Sequence, residues 1–578
     1  MAVHFRWLPL LLLLTTLPLA MPLWAKPLQY HLKGLDSELE KNVEAYLDAL
    51  PPAEPDRLRM MEPNIRKAVS DGLMALGYYS PSLALSINPE KENRITIEVT
   101  PGNPVTLRTI NIQLTGDAQH DKAFKKLIKS LPWQEGDVLN HNTYESVKSE
   151  MTDLALSRGY FDAKMSEHSI KVYPAQRAAD IDIHLDSGVR YRFGDIRYGS
   201  MTPATQRLLN QMVNFKTGKP YKAIKLSKLN RDFSLTGYFN QIDIRPLRDQ
   251  AVNHHVPIHI GVSPKTAHEL ETGVGFSTDE GPRVSLSWNK PWFNEKGHSI
   301  SNDFKISQVN TELTSRYTIP AGNPLREYYT LEGGYQQTRL DDTDSELLSG
   351  SVHRWVKRPE SWDRDVFFRV EYEDYIQADK SGSSLLLIPG VAFNRREVKG
   401  RDGLDPKSGQ VHNLKMELSS TSWGSDTSFI KLWGRSKWLT TLADKHRFIG
   451  RIEQGAIQVE SVNKLPPSIR FFTGGDQSIR GYSYESISPK DTNNKLTGAK
   501  YMTVTSIEYN YEFVEKWRLA TFLDAGTATN DYKDPWKLGA GLGIRWVTPV
   551  GPLKLDLAWA ISEPGTPWLI HFSMGPDL

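Results

Sequence analysis

From Pro264 onward, the chain consists of short segments in which apolar and polar residues alternate. In residues 538–546, apolar side chains occupy the even positions, and three glycines and Arg545 occupy the odd ones. In residues 552–561, the polar face carries Lys554 and Asp556. A strand between lipid and a water-filled lumen needs this arrangement, because one face meets acyl chains and the other meets water. The pattern predicts a transmembrane β-barrel over residues 264–578.

The length of this region fits about sixteen antiparallel strands, an even number as in single-chain bacterial barrels. Its 315 residues allow roughly 20 for each strand with its connection. Twelve of the 15 tryptophans follow Pro264, and Trp133 is the one tryptophan between residues 27 and 263. Indoles that line two membrane interfaces would have this distribution. The predicted strands begin near His268, Arg283, Ser299, Glu312, Glu327, Leu347, Asp365, Ser384, Gln410, Thr427, His446, Tyr501, Arg518, Lys537, Pro552 and Pro567.

The first half of the chain repeats itself three times. An alternating strand ends at a glycine at intervals of 82 and 83 residues, at Gly34, Gly116 and Gly199. A helical pattern ends at Gly-Tyr at intervals of 82 and 78 residues, at Gly77, Gly159 and Gly237. Each unit is typical of the order strand–helix–helix–strand–strand, and about 80 residues suffice for a separate core. We therefore predict an α+β array of three domains, with boundaries at 26–102, 103–188 and 189–263.

The amino-terminal residues 1–25 predict a signal peptide. Arg6 precedes an apolar run from Leu8 to Leu19, and Ala25 suits a cleavage position. The run is too short to span a bilayer readily, although a permanent anchor helix remains an alternative. The net charge of +2 and the absence of cysteine argue against a nucleic-acid partner and against thiolate metal sites.

The sequence carries no motif for an enzyme. Walker, G-x-S-x-G and dinucleotide-binding patterns are absent, and His254 and His255 lack partners at metal-ligand spacing. We therefore expect no catalytic activity, no cofactor and no metal site.

Two short motifs carry a family resemblance. Arg480, Gly481 and Tyr482 form Arg-Gly-Tyr within the longest connection, residues 461–499, and a later strand contains Phe-x-Asp-x-Gly at Phe522, Asp524 and Gly526. With the three repeats and the Gly-rich first strand ETGVGFSTDEGPR, they resemble the BamA/TamA superfamily of outer-membrane insertases, and the repeat count resembles its TamA branch. The resemblance implies three periplasmic polypeptide-transport-associated (POTRA) domains before a 16-stranded barrel in the cell outer membrane.

The resemblance also implies a role for the arginine motif. If the first strand runs outward, the connection 461–499 lies on the extracellular side by strand parity. We expect it to fold back into the lumen, where Arg480 forms a bidentate pair with Asp524. Glu508 lies on the inward face of the preceding strand and is expected to share the arginine. The alternative is a solvated loop arginine, with Asp524 in a separate lumen network.

The contact between the first and last strands is expected to be weak. Gly273 and Gly275 interrupt the first strand, and the last strand is short and flanked by prolines. We predict a lateral seam at these glycines and at Trp568, Ile570 and Phe572 of the last strand. The alternative is that the glycines accommodate barrel curvature.

The family resemblance implies an assembly factor that inserts and translocates autotransporter-type barrel clients through this seam. It also implies a TamB-like partner, anchored in the inner membrane, that binds the first POTRA domain. Expected contacts are client β-barrel proteins and membrane lipids, and no nucleic acid. Alternatives are a two-partner-secretion transporter, a passive porin and lipid transport with the partner.

Overall fold

The computed structural model describes residues 29–51, 58–87, 94–358, 361–399, 404–549 and 551–578. The predicted signal peptide, residues 1–25, lies outside the described residues. Among the helices in these ranges, none has the length and apolar character needed to cross a membrane.

Three modules precede the barrel and share one order of elements. The first consists of β1 (Gln29–Lys33), α1 (Ser37–Asp48), α2 (Leu58–Ala75), β2 (Ser82–Ile87) and β3 (Arg94–Thr100). The second consists of β4 (Thr106–Thr115), α3 (Lys122–Lys129), α4 (His141–Arg158), β5 (Lys164–Tyr173) and β6 (Ala178–Asp186). The third consists of β7 (Arg192–Tyr198), α5 (Pro203–Asn210), α6 (Ala223–Leu235), β8 (Phe239–Pro246) and β9 (His255–Pro264).

In each module the last strand lies in the middle of a three-stranded sheet. The orders are β1-β3-β2, β4-β6-β5 and β7-β9-β8. The predicted strand–helix–helix–strand–strand array is therefore confirmed. The first strand of each module ends one residue before the glycine that the repeat singled out.

Local sequence explains where the helices begin and end. Asp36 caps α1, and its carboxylate accepts a hydrogen bond from the Leu39 N–H at 2.9 Å. Gly159 ends α4 with a φ of 91°, and a Cβ there would come within 2.7 Å of the Tyr221 Cβ. A side chain at residue 159 would therefore be strained and would collide with its neighbour.

The second half forms one antiparallel sheet in which each strand pairs with its neighbour in sequence. The sixteen strands are β10 (Glu269–Ser277), β11 (Gly281–Lys290), β12 (Ser299–Ile306), β13 (Asn310–Pro320), β14 (Glu327–Leu340), β15 (Thr343–Val356), β16 (Asp363–Gln377), β17 (Lys380–Lys399), β18 (Ser408–Ser419), β19 (Phe429–Leu442), β20 (His446–Val459), β21 (Tyr501–Val514), β22 (Trp517–Thr529), β23 (Lys537–Thr548), β24 (Gly551–Ala560) and β25 (Trp568–Met574). The predicted barrel is confirmed, and each predicted start lies within four residues of the observed one.

The two faces of the sheet differ as the alternation predicts. Leu523 and Leu542 point outward and are 51% and 60% exposed, whereas the inward Asp524 is fully buried. Two tryptophans depart from the expected arrangement at the membrane interfaces. Trp292 is buried against Tyr238 of the third module, with ring centroids 5.4 Å apart, and Trp433 packs against the apolar cluster inside the barrel.

The chain divides into two compact units. The first contains the described residues up to Asp195, together with 216–224 and 247–257 of the third module. The second contains 196–215, 225–246 and 258–578. The second unit therefore includes the whole barrel.

Candidate functional site

The connection between β20 and β21 packs inside the barrel. We call residues 461–499 the lid loop. Its buried apolar side chains include Leu465, Ile469 and Ile479, which join one cluster with Ile388 of β17 and Val504 of β21. The lid loop is thus held against the inner wall by apolar packing as well as by polar contacts.

Arg480 of the lid loop is almost fully buried, with 6% of its surface exposed. Its Nε donates to Asp524 Oδ2 at 2.8 Å and its Nη2 to Asp524 Oδ1 at 3.0 Å, which is a bidentate pair. Its Nη1 donates to Glu508 Oε2 at 2.7 Å. The guanidinium carbon lies 3.4 Å from the centroid of the Phe522 ring. The structure therefore brings Arg480 together with three of the residues named from the sequence.

The other members of the two motifs provide close backbone approach. Gly481 has a φ of 93°, and a Cβ there would lie 2.8 Å from the carbonyl carbon of Trp559 on β24. A Cβ on Gly526 would collide with the carbonyl oxygen of Thr503. The Tyr482 hydroxyl lies 2.7 Å from Ser562 Oγ, just beyond β24. These glycines let the lid loop and the neighbouring strands lie closer together than any side chain would allow.

Sequence reasoning missed two further members of this charge cluster. Arg545 of β23 donates from Nη1 to Asp556 Oδ1 at 2.6 Å and from Nη2 to Glu508 Oε1 at 3.0 Å. Asp556 also lies 3.4 Å from Arg480 Nη1. Two arginines therefore face three carboxylates, a nearly balanced buried network. Both missed residues lie on inward positions of the alternating pattern, which was the available signal.

The seam lies between the two end strands of the sheet. Among the described residues, no ladder joins β10 to β25. The Thr278 N–H donates to the Phe572 carbonyl oxygen at 3.2 Å, and the Phe572 N–H donates to Thr278 Oγ1 at 3.2 Å. The rings of Phe276 and Phe572 lie 5.9 Å apart. The contact between the two strands is thus concentrated at one end of β10.

The other residues predicted for the seam take no part in these contacts. Gly273 and Gly275 lie opposite Ser285 and Arg283 of β11, and a Cβ on Gly275 would lie 2.8 Å from Arg283 Nε. These glycines therefore also make room for neighbouring side chains. Trp568 and Ile570 point outward from β25 and are 57% and 52% exposed.

The lid loop is hydrogen-bonded to both sides of the seam. The Gly481 N–H donates to Nε2 of His571 on β25 at 3.0 Å, and the Asp476 N–H donates to Oδ2 of Asp279, next to β10, at 2.7 Å. His571 Nδ1 lies 3.7 Å from Asp279 Oδ1. We call Asp279, Asp476, Gly481 and His571 the clasp. Sequence reasoning did not single out His571, although alternation in β25 places it inward.

Within the described residues, no three histidine, cysteine or acidic side chains are grouped as metal ligands would be. The polar side chains of the lid region instead hold one another and the backbone.

Comparison with known proteins places this architecture in a family. The model described as "Omp85 superfamily domain" matches residues 265–577, more than half of the chain. The chain belongs to the Omp85 superfamily. Two further models match its modules: "POTRA domain TamA domain 1" over residues 29–101, and POTRA, "Surface antigen variable number repeat", over residues 108–188. This Omp85 member is an outer-membrane β-barrel protein with periplasmic POTRA domains.

Similar proteins include outer membrane protein assembly factors named BamA. That of Nitratidesulfovibrio vulgaris is 26% identical over 387 residues, which are 60% of this chain and 46% of that protein. That of Neisseria meningitidis serogroup B is 20% identical over 554 residues, 82% of this chain and 67% of that protein. The crystal structure of BamA from Haemophilus ducreyi lacking POTRA domains 1–3 shares the fold, with a TM-score of 0.68 and 16% identity over 81% of this chain and 99% of that one.

Proposed function

We propose that this Omp85 protein inserts and translocates autotransporter-type β-barrel clients at the seam between β10 and β25. The observation that carries the proposal is that β10 and β25 are joined by far fewer contacts than neighbouring strands elsewhere in the sheet. The junction has two hydrogen bonds between Thr278 and Phe572, whereas β24 and β25 share seven registered residue pairs. Unpaired backbone groups in a bilayer are costly, so a client strand that pairs with either edge is stabilised. No cofactor or catalytic step is needed, because client folding supplies the free energy.

The clasp supports a regulated seam rather than a permanently open one. The lid loop bonds to Asp279 beside the first strand and to His571 on the last strand. If the two strands separate, the lid loop can stay bonded to only one of them, so at least one of these contacts must break. The Arg480 network then anchors the lid loop to β21 and β22.

The filled lumen argues against a passive porin. The lid loop contributes Leu465, Ile469 and Ile479 to an apolar cluster inside the barrel, and Arg480 is buried in the charge network. A porin keeps an aqueous channel open through its lumen. Three POTRA-type modules, the first matched by the TamA domain 1 model, favour the TamA branch as the more specific assignment.

The first module offers an edge for the proposed TamB-like, inner-membrane-anchored partner. β2 is an edge strand whose residues Ser82–Ile87 carry no charge and pair with β3 without a bulge. The corresponding edges β5 and β8 carry charged residues and show register shifts. Charges and bulges protect edge strands from pairing with other chains. The β2 edge therefore suits addition of a partner strand.

Site-specific photocrosslinking of a client during assembly tests the proposal. A photoreactive residue at Val274 of β10, which is 81% exposed, is expected to capture client strands. The same residue at Leu348, outward on β15 and 61% exposed, is the matched control because β15 is paired on both sides. Equal capture at the two positions would mean that clients contact the barrel wall without preference for the seam.

A further inference from the structure

The outward face of the barrel carries a polar group on β17, β18 and β19, away from the seam strands. Its five members are Arg395, Glu397, Gln410, His412 and Ser436. They share this face with apolar side chains such as Phe393 and Leu414, which are 38% and 50% exposed. A lipid-facing surface is expected to be apolar, so this group requires an explanation.

The five side chains form one hydrogen-bonded set. Arg395 Nε donates to Glu397 Oε1 at 2.8 Å, and Gln410 Nε2 donates to Glu397 Oε2 at 2.7 Å. His412 Nδ1 lies 2.8 Å from Ser436 Oγ, and His412 Nε2 lies 3.3 Å from Gln410 Oε1. Both oxygens of the Glu397 carboxylate are therefore fixed in position. A preorganised carboxylate beside an apolar surface is suited to a ligand that brings a complementary charge.

A hollow of about 480 Å³ lies directly beside this group. Its polar wall contains Glu397, Lys399 and Gln410, and its apolar wall contains Trp438, Phe448 and Ile507. In the register of β19, β20 and β21, Trp438 faces Gly450 and Gly450 faces Ile507. Because residue 450 has no side chain, the space between the two large apolar residues stays open.

The position of the hollow indicates which lipid leaflet it faces. β10, the first barrel strand, begins at the rim that is next in sequence to the POTRA modules. β17 is the eighth strand of the antiparallel sheet, so it runs in the opposite direction and ends at that same rim. That rim is periplasmic. An amphipathic molecule of the adjoining leaflet meets an apolar wall for its acyl chain and charges of both signs for its headgroup.

We propose that this hollow binds one phospholipid with an amine-bearing headgroup. The phosphate lies at the Lys399 ammonium, the amine lies at the Glu397 carboxylate, and an acyl chain packs along Trp438 and Ile507. The inference depends on the outer-membrane location and not on the client-assembly proposal.

Native mass spectrometry of the full-length protein, released from mild detergent, tests this site. Phosphatidylethanolamine and phosphatidylglycerol are the two probes, supplied separately. We expect the wild-type protein to retain one phosphatidylethanolamine. Gly450→Leu fills the hollow and is expected to lower that occupancy by at least about tenfold. Gly350→Leu is the matched control, since residue 350 also points outward and a Cβ there meets no atom within 4 Å.

Two charge variants separate the headgroup contacts. Lys399→Gln is expected to weaken retention of both lipids, because both carry the phosphate. Glu397→Gln is expected to weaken phosphatidylethanolamine by about tenfold and to spare phosphatidylglycerol. Equal retention by Gly450→Leu and Gly350→Leu would overturn the proposal. So would a broad distribution of bound lipids that Lys399→Gln and Glu397→Gln leave unchanged, because that pattern describes lipid around the whole barrel. Heat-modifiable gel mobility verifies that each variant is folded.

Discussion

At the scale of single residues, Arg480 of the lid loop is buried, and one side chain of the barrel wall holds it through two hydrogen bonds. Arg480 is fixed by Asp524 through two hydrogen bonds and by Glu508 through a third. The pair is buried, so removal of one charge leaves the other without its partner in a medium of low dielectric constant. The contribution of Arg480 to stability is therefore measured best by a substitution of Asp524 that keeps the shape of this side chain.

Asp524→Asn keeps that shape and removes the charge. We expect it to lower the free energy of unfolding in lipid vesicles by roughly 3 kcal/mol, because it leaves a buried guanidinium incompletely compensated. Urea titration monitored by tryptophan fluorescence measures the change. Asp379→Asn is the control, since Asp379 pairs with Lys495 at a half-exposed site and an exposed pair contributes little. Equal shifts for the two variants would contradict the role assigned to Arg480.

We expect the clasp to respond to pH through Asp476. Burial, together with the neighbouring Asp279, raises the pKa of the half-buried Asp476 from 3.8 to about 7. The protonated carboxyl is therefore favoured in the folded lid loop, and its stabilising effect decreases as pH rises from about 4 to about 7. The nearby His571 opposes this shift without cancelling it.

Limited proteolysis of the lid loop tests this dependence. We expect cleavage within residues 461–499 to increase between pH 4.5 and 7.5 in the wild-type protein, with protease activity calibrated on an unfolded substrate at each pH. Asp476→Asn keeps the backbone N–H that bonds to Asp279 and removes the titrating group. The variant is therefore expected to show a flatter profile. A wild-type profile that matches the variant would refute the assignment to Asp476.

The sequence was informative about some residues of the site and silent about others. The family motifs indicated Arg480, Asp524 and Phe522, and alternation placed Glu508 inward. Alternation also placed Arg545, Asp556 and His571 on the inward face. It does not, however, indicate at which level along the barrel axis each side chain lies. Which inward side chains meet depends on the register between strands, and the turns do not determine that register from local pattern alone.

At the scale of elements, the strands were predictable because lipid and lumen impose a period of two on each of them. The repeats were predictable because glycines mark the ends of the same strands and helices three times. The prediction that Trp292 lies at the membrane interface was wrong. Trp292 packs against Tyr238 of the third module, which lies 54 residues earlier in the chain, and the sequence around Trp292 does not indicate this contact.

The edge strand β2 yields a prediction at this scale. Ala84 is an exposed position in the middle of the uncharged edge. Ala84→Lys is expected to weaken capture of the TamB-like partner by about tenfold or more, because a charged edge disfavours pairing with another strand. Co-purification from membranes measures the effect. Ser166→Lys on the edge strand β5 is the control, and equal loss with both variants would mean that partner binding does not depend on the β2 edge.

At the scale of the whole molecule, part of the third module belongs with the barrel. Leu208 and Tyr238 lie in the same compact unit as Gly297 and Trp292, and a Cβ on Gly297 would lie 2.6 Å from Leu208 Cδ2. The sequence-derived boundary at residue 263 is therefore a boundary of the repeat rather than of packing. Sequence reasoning did not reveal this division, because the contacts join segments of different secondary-structure type.

The proposed function requires that clients pass at the junction of β10 and β25. Phe276→Cys with Phe572→Cys places the chain's two cysteines where the aromatic rings now lie 5.9 Å apart, in a protein that otherwise has none. Ile544→Cys with Leu555→Cys is the control, because these residues already face each other across the β23–β24 ladder.

The decisive measurement is client insertion into proteoliposomes before and after oxidation of these two proteins. We expect oxidation to abolish insertion by the 276–572 variant, reduction to restore it, and the 544–555 variant to remain active throughout. Full insertion by a 276–572 protein that is completely cross-linked would contradict the central claim.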